Sequence, residues 1–252
     1  MTDPIHSNTI RLALIRVVAM AVLALTFGTV PRAVFGQLPA LSSKRKIGII
    51  GSGNIGGTVG TLWIKAGHSV FFSSRHPEEL KPLIDGLGPL ARAGTVREAL
   101  RFGDAIFIAV PYGAYPQIGK DYAEELRGKI VLDAGNAVPA RDGRIVDEAR
   151  KNGIGMTSAK YLAGTRLVRA FNTLNYRSLA REANRSGERL AIPIAGDDKE
   201  ALAVAARLVR DAGFDPVMIG PLKSADYFAR GAPLYGQEIT AKEMESRLHE
   251  LR

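Results

Sequence analysis

The chain of 252 residues has no cysteine. Disulfides, thiolate nucleophiles, zinc–thiolate sites and iron–sulfur clusters are therefore excluded. The compartment stays open, because either side of a bacterial membrane tolerates a cysteine-free protein. No internal repeat and no low-complexity tract is present. Nor is there an apolar run of the roughly 20 residues that a membrane-spanning helix wants; the apolar core near the start, Val17–Phe27, is 11 residues. Acidic residues are outnumbered, and the formal charge is +9. The Lys and Arg residues are scattered, without the clustered footprint of a nucleic-acid binder. No nucleic-acid partner is expected, and an anionic cofactor or substrate accounts for the charge.

A short apolar core preceded by Arg11 and Arg16 has the make-up of a signal peptide, with Val34-Phe35-Gly36 as the cleavage site. Residues 1–36 are expected to be a targeting segment, and residues 37–45 a linker. Arg32, Lys44, Arg45 and Lys46 follow the core and weigh the other way. By the positive-inside rule they favour an anchor through residues 12–30 that holds the domain at the cytoplasmic face. Localisation therefore stays open between export to the periplasm and a membrane tether, with a mis-assigned start codon as a third reading.

From Lys46 onward, short apolar runs alternate with helical spacing. Strands are expected at Lys46–Ile50, Ser69–Ser73, Ala105–Val110, Lys129–Asp133, Leu167–Phe171, Leu190–Ala195 and Pro216–Ile219. Helices are expected at Asn54–Ala66, Pro77–Ile84, from Thr95 to Arg101, at Tyr115–Leu126 and Ile145–Asn152, and from an Asp197/Glu200 cap to Ala212. Thr95 with Glu98 forms a capping box. This alternation implies an α/β fold, a doubly wound and mostly parallel sheet of Rossmann type, over residues 46–220. Residues 221–252 read as a mostly helical tail, suited to closing the site or to a homodimer contact.

Gly51-Ser52-Gly53-Asn54-Ile55-Gly56 is G-x-G-x-x-G between a strand and a helix. That context is what dinucleotide binding requires. Gly51 permits the tight turn, Gly53 lets the backbone approach a pyrophosphate, and Gly56 lets helix and strand pack closely. The helix N-terminus then offers free N–H groups to the diphosphate. What is missing comes next. An acidic residue about 20 positions on would hold a ribose 2′-hydroxyl; here the chain reads Phe71-Phe72-Ser73-Ser74-Arg75-His76-Pro77. Two hydroxyls and a guanidinium suit a 2′-phosphate, with His76 and Lys81 adding positive charge, so NADPH is expected over NADH.

The strand ends supply the remaining candidates: Val110, Pro111 and Tyr112 after one strand, Asn136 after the next, and Asn172 after another. Asn136 is read as orienting the nicotinamide end or as a turn residue. Asn172 touches substrate or caps the next helix. Tyr112 stacks on a ring or packs at the rim. A positioned proton donor is absent, since the four histidines lie away from these ends. That absence suits hydride passage between two stacked rings, for which the protein supplies proximity and orientation.

Taken together, KIGIIGSGNIGG, FFSSR, IAVPYGAY, VLDAGN, RLVRAFNTLN and the IAGDD-to-GFDPVMIGPL ending resemble the NADPH-dependent oxidoreductases of the deazaflavin (coenzyme F-420) family. The reductase domains of six-transmembrane metalloreductases are similar to these. The resemblance runs from Lys46 to about Leu234. It implies that Ser74 and Arg75 hold the 2′-phosphate and that Pro111 and Tyr112 lie beside the nicotinamide. His76 stands where the family often has a second strong cation, which implies a weaker or pH-dependent grip. It also implies a small-molecule hydride acceptor, a deazaflavin or a flavin. Two other readings stay open: a non-catalytic NADP-binding sensor or regulatory module, and a small-carbonyl or imine reductase using Tyr112 or Lys160.

Overall fold

The computed structural model describes residues 44–252. The expected targeting segment 1–36, and residues 37–43 of the linker, lie outside them. Among the described residues no helix is long and apolar enough to cross a membrane.

Eight strands form one sheet: β1 (Lys46–Ile50), β2 (Ser69–Ser73), β3 (Ala91–Gly94), β4 (Ala105–Ile108), β5 (Ile130–Asp133), β6 (Arg166–Arg169), β7 (Ala191–Gly196) and β8 (Asp215–Gly220). Their order is β3-β2-β1-β4-β5-β6-β7-β8. Each named pair runs parallel except β6 with β7. This is the doubly wound, mostly parallel sheet the sequence implies. Alternation along the strands divides their side chains between two cores. Ile47, Ile49 and Phe107 pack with Val59, Trp63 and Phe72 on one face. Ile50, Ile106, Ile108 and Val131 pack with Leu100, Tyr115 and Leu126 on the other. Each such side chain contributes roughly 1.5–3 kcal/mol of burial, which explains why these strands read as unbroken apolar runs.

Four details differ from the sequence reading. First, β3 was not foreseen, because Ala-Arg-Ala-Gly carries no apolar run; it pairs with β2 at the sheet edge. Second, the expected Tyr115–Leu126 helix is two pieces, Tyr115–Asp121 and Ala123–Leu126, interrupted at Tyr122 (φ −127°, ψ 22°). Third, the cap of the Lys199–Asp211 helix is Asp198, which accepts from the Ala201 N–H. Asp197 instead accepts from the Leu222 N–H at 3.0 Å and fastens the tail. Fourth, the tail is a 3-10 turn, Leu222–Phe228, and a helix, Ala241–Glu250, joined by a non-helical stretch. Tail residues Phe228, Leu234, Met244 and Leu248 are part of the second core.

Register places the site. Ser73 pairs with Ile50, Ile50 with Ile108, Ile108 with Asp133 and Asp133 with Arg169. These residues form one row at the carboxyl edge of the sheet. The order reverses between β1 and β4, and a doubly wound sheet binds its ligand in the crevice at that reversal.

Candidate functional site

The three loop glycines occupy three distinct environments. Gly51 has φ +93°, and a Cβ there would meet Val110 Cγ1 at 2.5 Å and the Ala109 carbonyl oxygen at 2.7 Å. A Cβ on Gly56 would lie 2.0 Å from the Gly51 carbonyl oxygen, so helix and turn touch backbone to backbone. A Cβ on Gly53 would meet nothing within 4 Å. The turn and the packing glycines are filled; the middle one faces open space. Gly53 also opens the Asn54–Lys65 helix and has no side-chain cap, so first-turn N–H groups are free for an anion. The fit to a dinucleotide diphosphate rests on this arrangement. Ser52, Gly53 and Asn54 border a groove of about 520 Å³, which continues down the helix flank past Lys65 and away from the strand ends. Only its mouth adjoins the glycine loop.

At the end of β2 the predicted hydroxyls part company. Ser73 is fully buried, and its hydroxyl donates to the Ile49 carbonyl at 2.5 Å. Its own carbonyl accepts from the Gly51 N–H, the Ser52 N–H and the Ser52 hydroxyl, at 3.1–3.2 Å. Ser73 therefore shapes the glycine turn rather than contacting a ligand, a correction to its expected role. Ser74 is half-buried, and its oxygen accepts from the His76 N–H at 3.1 Å. That leaves its proton to donate. Arg75 is exposed, and its side chain has no hydrogen bond or ion pair among the described residues. His76 Nδ1 lies 3.5 Å from Glu78 Oε1 on the surface, so a phosphate would compete with a carboxylate for it.

Tyr112 corrects the sequence reading more sharply. It is fully buried; its hydroxyl lies 2.9 Å from the Ile154 carbonyl and 2.9 Å from Ser158 Oγ. Its ring stacks at a tilt on Tyr115, with centroids 4.5 Å apart. Burial, with the Asp133 carboxylate adding, pushes the phenol well above its ordinary value. Tyr112 thus presents no ring to a ligand. Pro111 is exposed beside it, and Val110, half-buried, closes over Gly51.

Behind these residues lies an ion pair that the sequence reading did not single out. Asp133 and Arg169 are both fully buried, with Arg169 Nη1 2.8 Å from Asp133 Oδ2. Asp133 Oδ1 accepts from the Gly135 N–H at 2.8 Å and from the Tyr115 hydroxyl. Arg169 Nη2 donates to the Gly135 carbonyl at 2.6 Å. Burial opposes charge on Arg169, but the Asp133 carboxylate together with the Tyr115 and Tyr112 phenols outweighs it and raises the guanidinium pKa. The network fixes the chain just before Asn136.

Asn136 and Asn172 meet across the strand ends. Asn136 Nδ2 donates to the Asn172 carbonyl at 2.7 Å. Asn172 Nδ2 donates to the Phe228 carbonyl at 2.9 Å and lies 3.3 Å from Asn136 Oδ1. Asn172 does not cap the next helix; Asn175 does, accepting from the Arg177 and Ser178 N–H groups. Asn172 Oδ1 is buried and has no hydrogen-bond partner among the described residues. Just before it, Phe171 holds φ +62°, a conformation costly for a bulky residue and typical of sites where geometry is imposed. That twist keeps Phe171 against Trp63 and Phe107 in one core, while Asn172 reaches the tail. Lys160 is exposed and donates to Glu148 at 2.6 Å, which also accepts from Tyr161. Among the described residues no three His, Cys, Asp or Glu side chains gather as a metal site.

Residues 46–137 match the family described as NADP oxidoreductase coenzyme F420-dependent. The chain is 31% identical over 184 residues to the metalloreductase STEAP3 of Rattus norvegicus, an alignment covering 71% of this chain and 35% of that protein. It therefore spans about a third of that relative's length. Among solved structures, a hypothetical protein from Sinorhizobium meliloti is similar with a TM-score of 0.69 at 27% identity, over 78% of this chain and 95% of that one. A putative F420-dependent NADP reductase from Arthrobacter sp. FB24 has a TM-score of 0.61 at 21% identity, over 72% and 87%; this last likeness speaks for the fold alone. The motifs from KIGIIGSGNIGG to VLDAGN fall within the matched range.

Proposed function

We propose, for a chain whose residues 46–137 carry the domain of the coenzyme F420-dependent NADP oxidoreductase family, an NADPH-dependent oxidoreductase that moves hydride between the nicotinamide and a flavin-like or deazaflavin ring. One observation carries the cofactor half: open space over Gly53 beside an exposed, unpaired Arg75, with no acidic residue at the end of β2. The first-turn N–H groups would take the diphosphate. Arg75 and the Ser74 hydroxyl would hold the 2′-phosphate, with His76 a weaker third partner because Glu78 competes for it. Val110 and Pro111 would flank the nicotinamide ribose. Asn136, held by Asn172, would set the carboxamide end.

When bound, NADPH supplies a hydride, which with one proton from water reduces the acceptor ring. The chain's own task is to bind, orient and exclude water. The engagement of Tyr112 and Lys160 by other groups weighs against a carbonyl or imine reductase that relies on either as proton donor.

The test is Arg75→Ala. Loss of a charge-assisted phosphate contact raises the Michaelis constant for NADPH about tenfold or more and leaves that for NADH nearly unchanged. Equal affinity of the wild type for the two cofactors, read by calorimetry, would overturn the cofactor assignment. NADPH binding with no turnover against flavins, deazaflavin or quinones would instead mark a non-catalytic NADP-binding module.

A further inference from the structure

The amino ends of β1 to β5 form the edge of the sheet opposite the cofactor site, and one corner of that edge is cationic. β1 opens there with Lys46, and the Val96–Phe102 helix ends there, just before β4. Phe102 is the centre of the corner: Lys46 Nζ stands 5.9 Å and Arg92 Cζ 5.5 Å from its ring centroid. Phe71 packs on the same ring, with centroids 5.6 Å apart. Lys129 Nζ donates to the carbonyl of the next residue, Gly103, at 2.7 Å. Arg101 lies in the last turn of the helix. Far apart in sequence, these cations are gathered by the fold. Lys46, Arg92 and Arg101 are exposed, and none has a carboxylate partner among the described residues.

The nearby acids do not neutralise the corner. Glu124 and Glu125, on the adjoining Ala123–Leu126 helix, are paired with Arg127 and Arg97. Asp104 is exposed just after Gly103 and offsets one of the cations. A charged side chain on an edge strand guards against pairing with another sheet, which accounts for Arg92 in β3 but not for Lys46, Arg101 and Lys129. The corner also holds Leu90, immediately before β3 and one of three large apolar side chains left exposed among the described residues. Cations with an exposed leucine beside them match a lipid surface, where charges meet anionic headgroups and apolar groups meet the acyl boundary. A nucleic acid would take the charges and leave Leu90 without a role. The chain enters the domain at this same edge, and the sequence ahead of Lys44 carries the apolar run Val17–Phe27.

We infer that this corner docks the domain on an anionic membrane surface, with Lys46, Arg92 and Arg101 at the headgroups and Leu90 at the acyl boundary. The cofactor edge then faces away from the lipid and stays open to NADPH. The inference goes beyond the oxidoreductase reading and stands whichever acceptor the site reduces.

The test uses the full chain with vesicles of equimolar phosphatidylglycerol and phosphatidylcholine, or of phosphatidylcholine alone. Partition is read by co-sedimentation over a lipid titration. Each cation at an anionic surface contributes about fivefold, so these three make the preference for anionic vesicles roughly a hundredfold larger at low salt, an effect that shrinks as ionic strength rises. Lys46→Gln, Arg92→Gln and Arg101→Gln together should lower the preference by about that factor. Neutralising three exposed cations elsewhere, Arg177, Lys223 and Lys242, changes the net charge equally and should lower it far less. Unaltered NADPH affinity and melting temperature show that the variants are folded. In the wild type, amide hydrogen exchange at residues 90–92 and 101–104 should slow on the anionic vesicles, a readout that needs no variant. Equal partition into the two vesicles, a preference that survives the three corner changes or falls as far in the control variant, or unchanged exchange at the corner overturns the inference. Binding to polyuridylate more tightly than to the anionic vesicles would assign the corner to nucleic acid and overturns it as well.

Discussion

Two stretches of the same sheet edge use their polar groups in opposite ways. After β2, Arg75 is exposed and has no ion pair among the described residues, and Ser74 keeps a proton to give. After β5 and β6, Asp133 and Arg169 are fully buried and bind each other, Tyr115 and the Gly135 backbone. The first stretch leaves its polar groups free for the 2′-phosphate proposed above. The second draws its partners from within the fold, although Arg169 Nε has none among the described residues, and it fixes the chain just before Asn136. A polar residue at a strand end is therefore no guide to binding by itself; what decides is whether the fold has already supplied its partner.

The largest expected effect comes from breaking the buried stretch. Arg169→Met removes one partner of a buried pair and strands the Asp133 carboxylate, at a cost of about 3–5 kcal/mol. Replacing both, as Asp133→Leu with Arg169→Met, should recover part of that loss, because the desolvation of two charges disappears with them. Urea unfolding measures both. A single variant of wild-type stability that no longer binds NADPH would mean that the pair faces the ligand after all.

The glycine loop allows the same comparison within six residues. A Cβ at position 56 must push against backbone at 2.0 Å, whereas one at position 53 meets nothing. Gly56→Ala should cost about 1–3 kcal/mol of stability. Gly53→Ala should leave the melting temperature unchanged and weaken NADPH binding by blocking the close approach of the diphosphate. If both variants lose stability, or if Gly53→Ala binds NADPH normally, the division of roles within the loop fails.

Such contrasts show what a sequence displays. The tight turn at Gly51, the close helix packing at Gly56 and the doubly wound order were legible, because each depends on backbone conformation or on periodicity within a few residues. β3 was not, since Ala-Arg-Ala-Gly has neither an apolar run nor alternation and owes its state to pairing with β2. The burial of Tyr112 and Ser73 was hidden too, because their partners Ile154, Ser158 and Ile49 are 24 to 46 positions away. The Asp133–Arg169 pair left one trace, an acid and a base inside otherwise apolar strands. Two charges at corresponding strand ends are a signal for a buried pair.

Tyr112→Phe is a smaller probe of the same boundary. Removing a buried hydroxyl that bonds to Ile154 and Ser158 should cost about 0.5–1.5 kcal/mol in a thermal or urea melt. Turnover of NADPH at saturating substrate should persist, since no proton leaves this phenol. A collapse of turnover at unchanged stability would return Tyr112 to the catalytic side and revive the carbonyl or imine reductase reading.

The smallest effect concerns a buried polar group away from the site. His68 is fully buried; its Nδ1 accepts from the Arg45 N–H at 3.0 Å and its Nε2 lies 3.1 Å from Asp211 Oδ2. Burial lowers its pKa below 6.5; Asp211 opposes this without cancelling it, and Lys44 and Arg207 add to the lowering. The unfolded chain therefore takes up this proton more readily than the folded one. Stability must then fall as pH drops through 6.5, and level off once the pH is below the folded-state value. In His68→Gln that component vanishes, so its melting temperature should decline less steeply between pH 7 and pH 5 than that of the wild type, whatever the difference in absolute height. Parallel slopes would mean that Asp211 compensates fully for the burial of the ring. In that case the Asp211 carboxylate would offset both the burial of the ring and the loss of the Arg45 N–H bond on protonation, and the contrast between a group partnered by the fold and a group free for a ligand would rest on Asp133 and Arg169 alone.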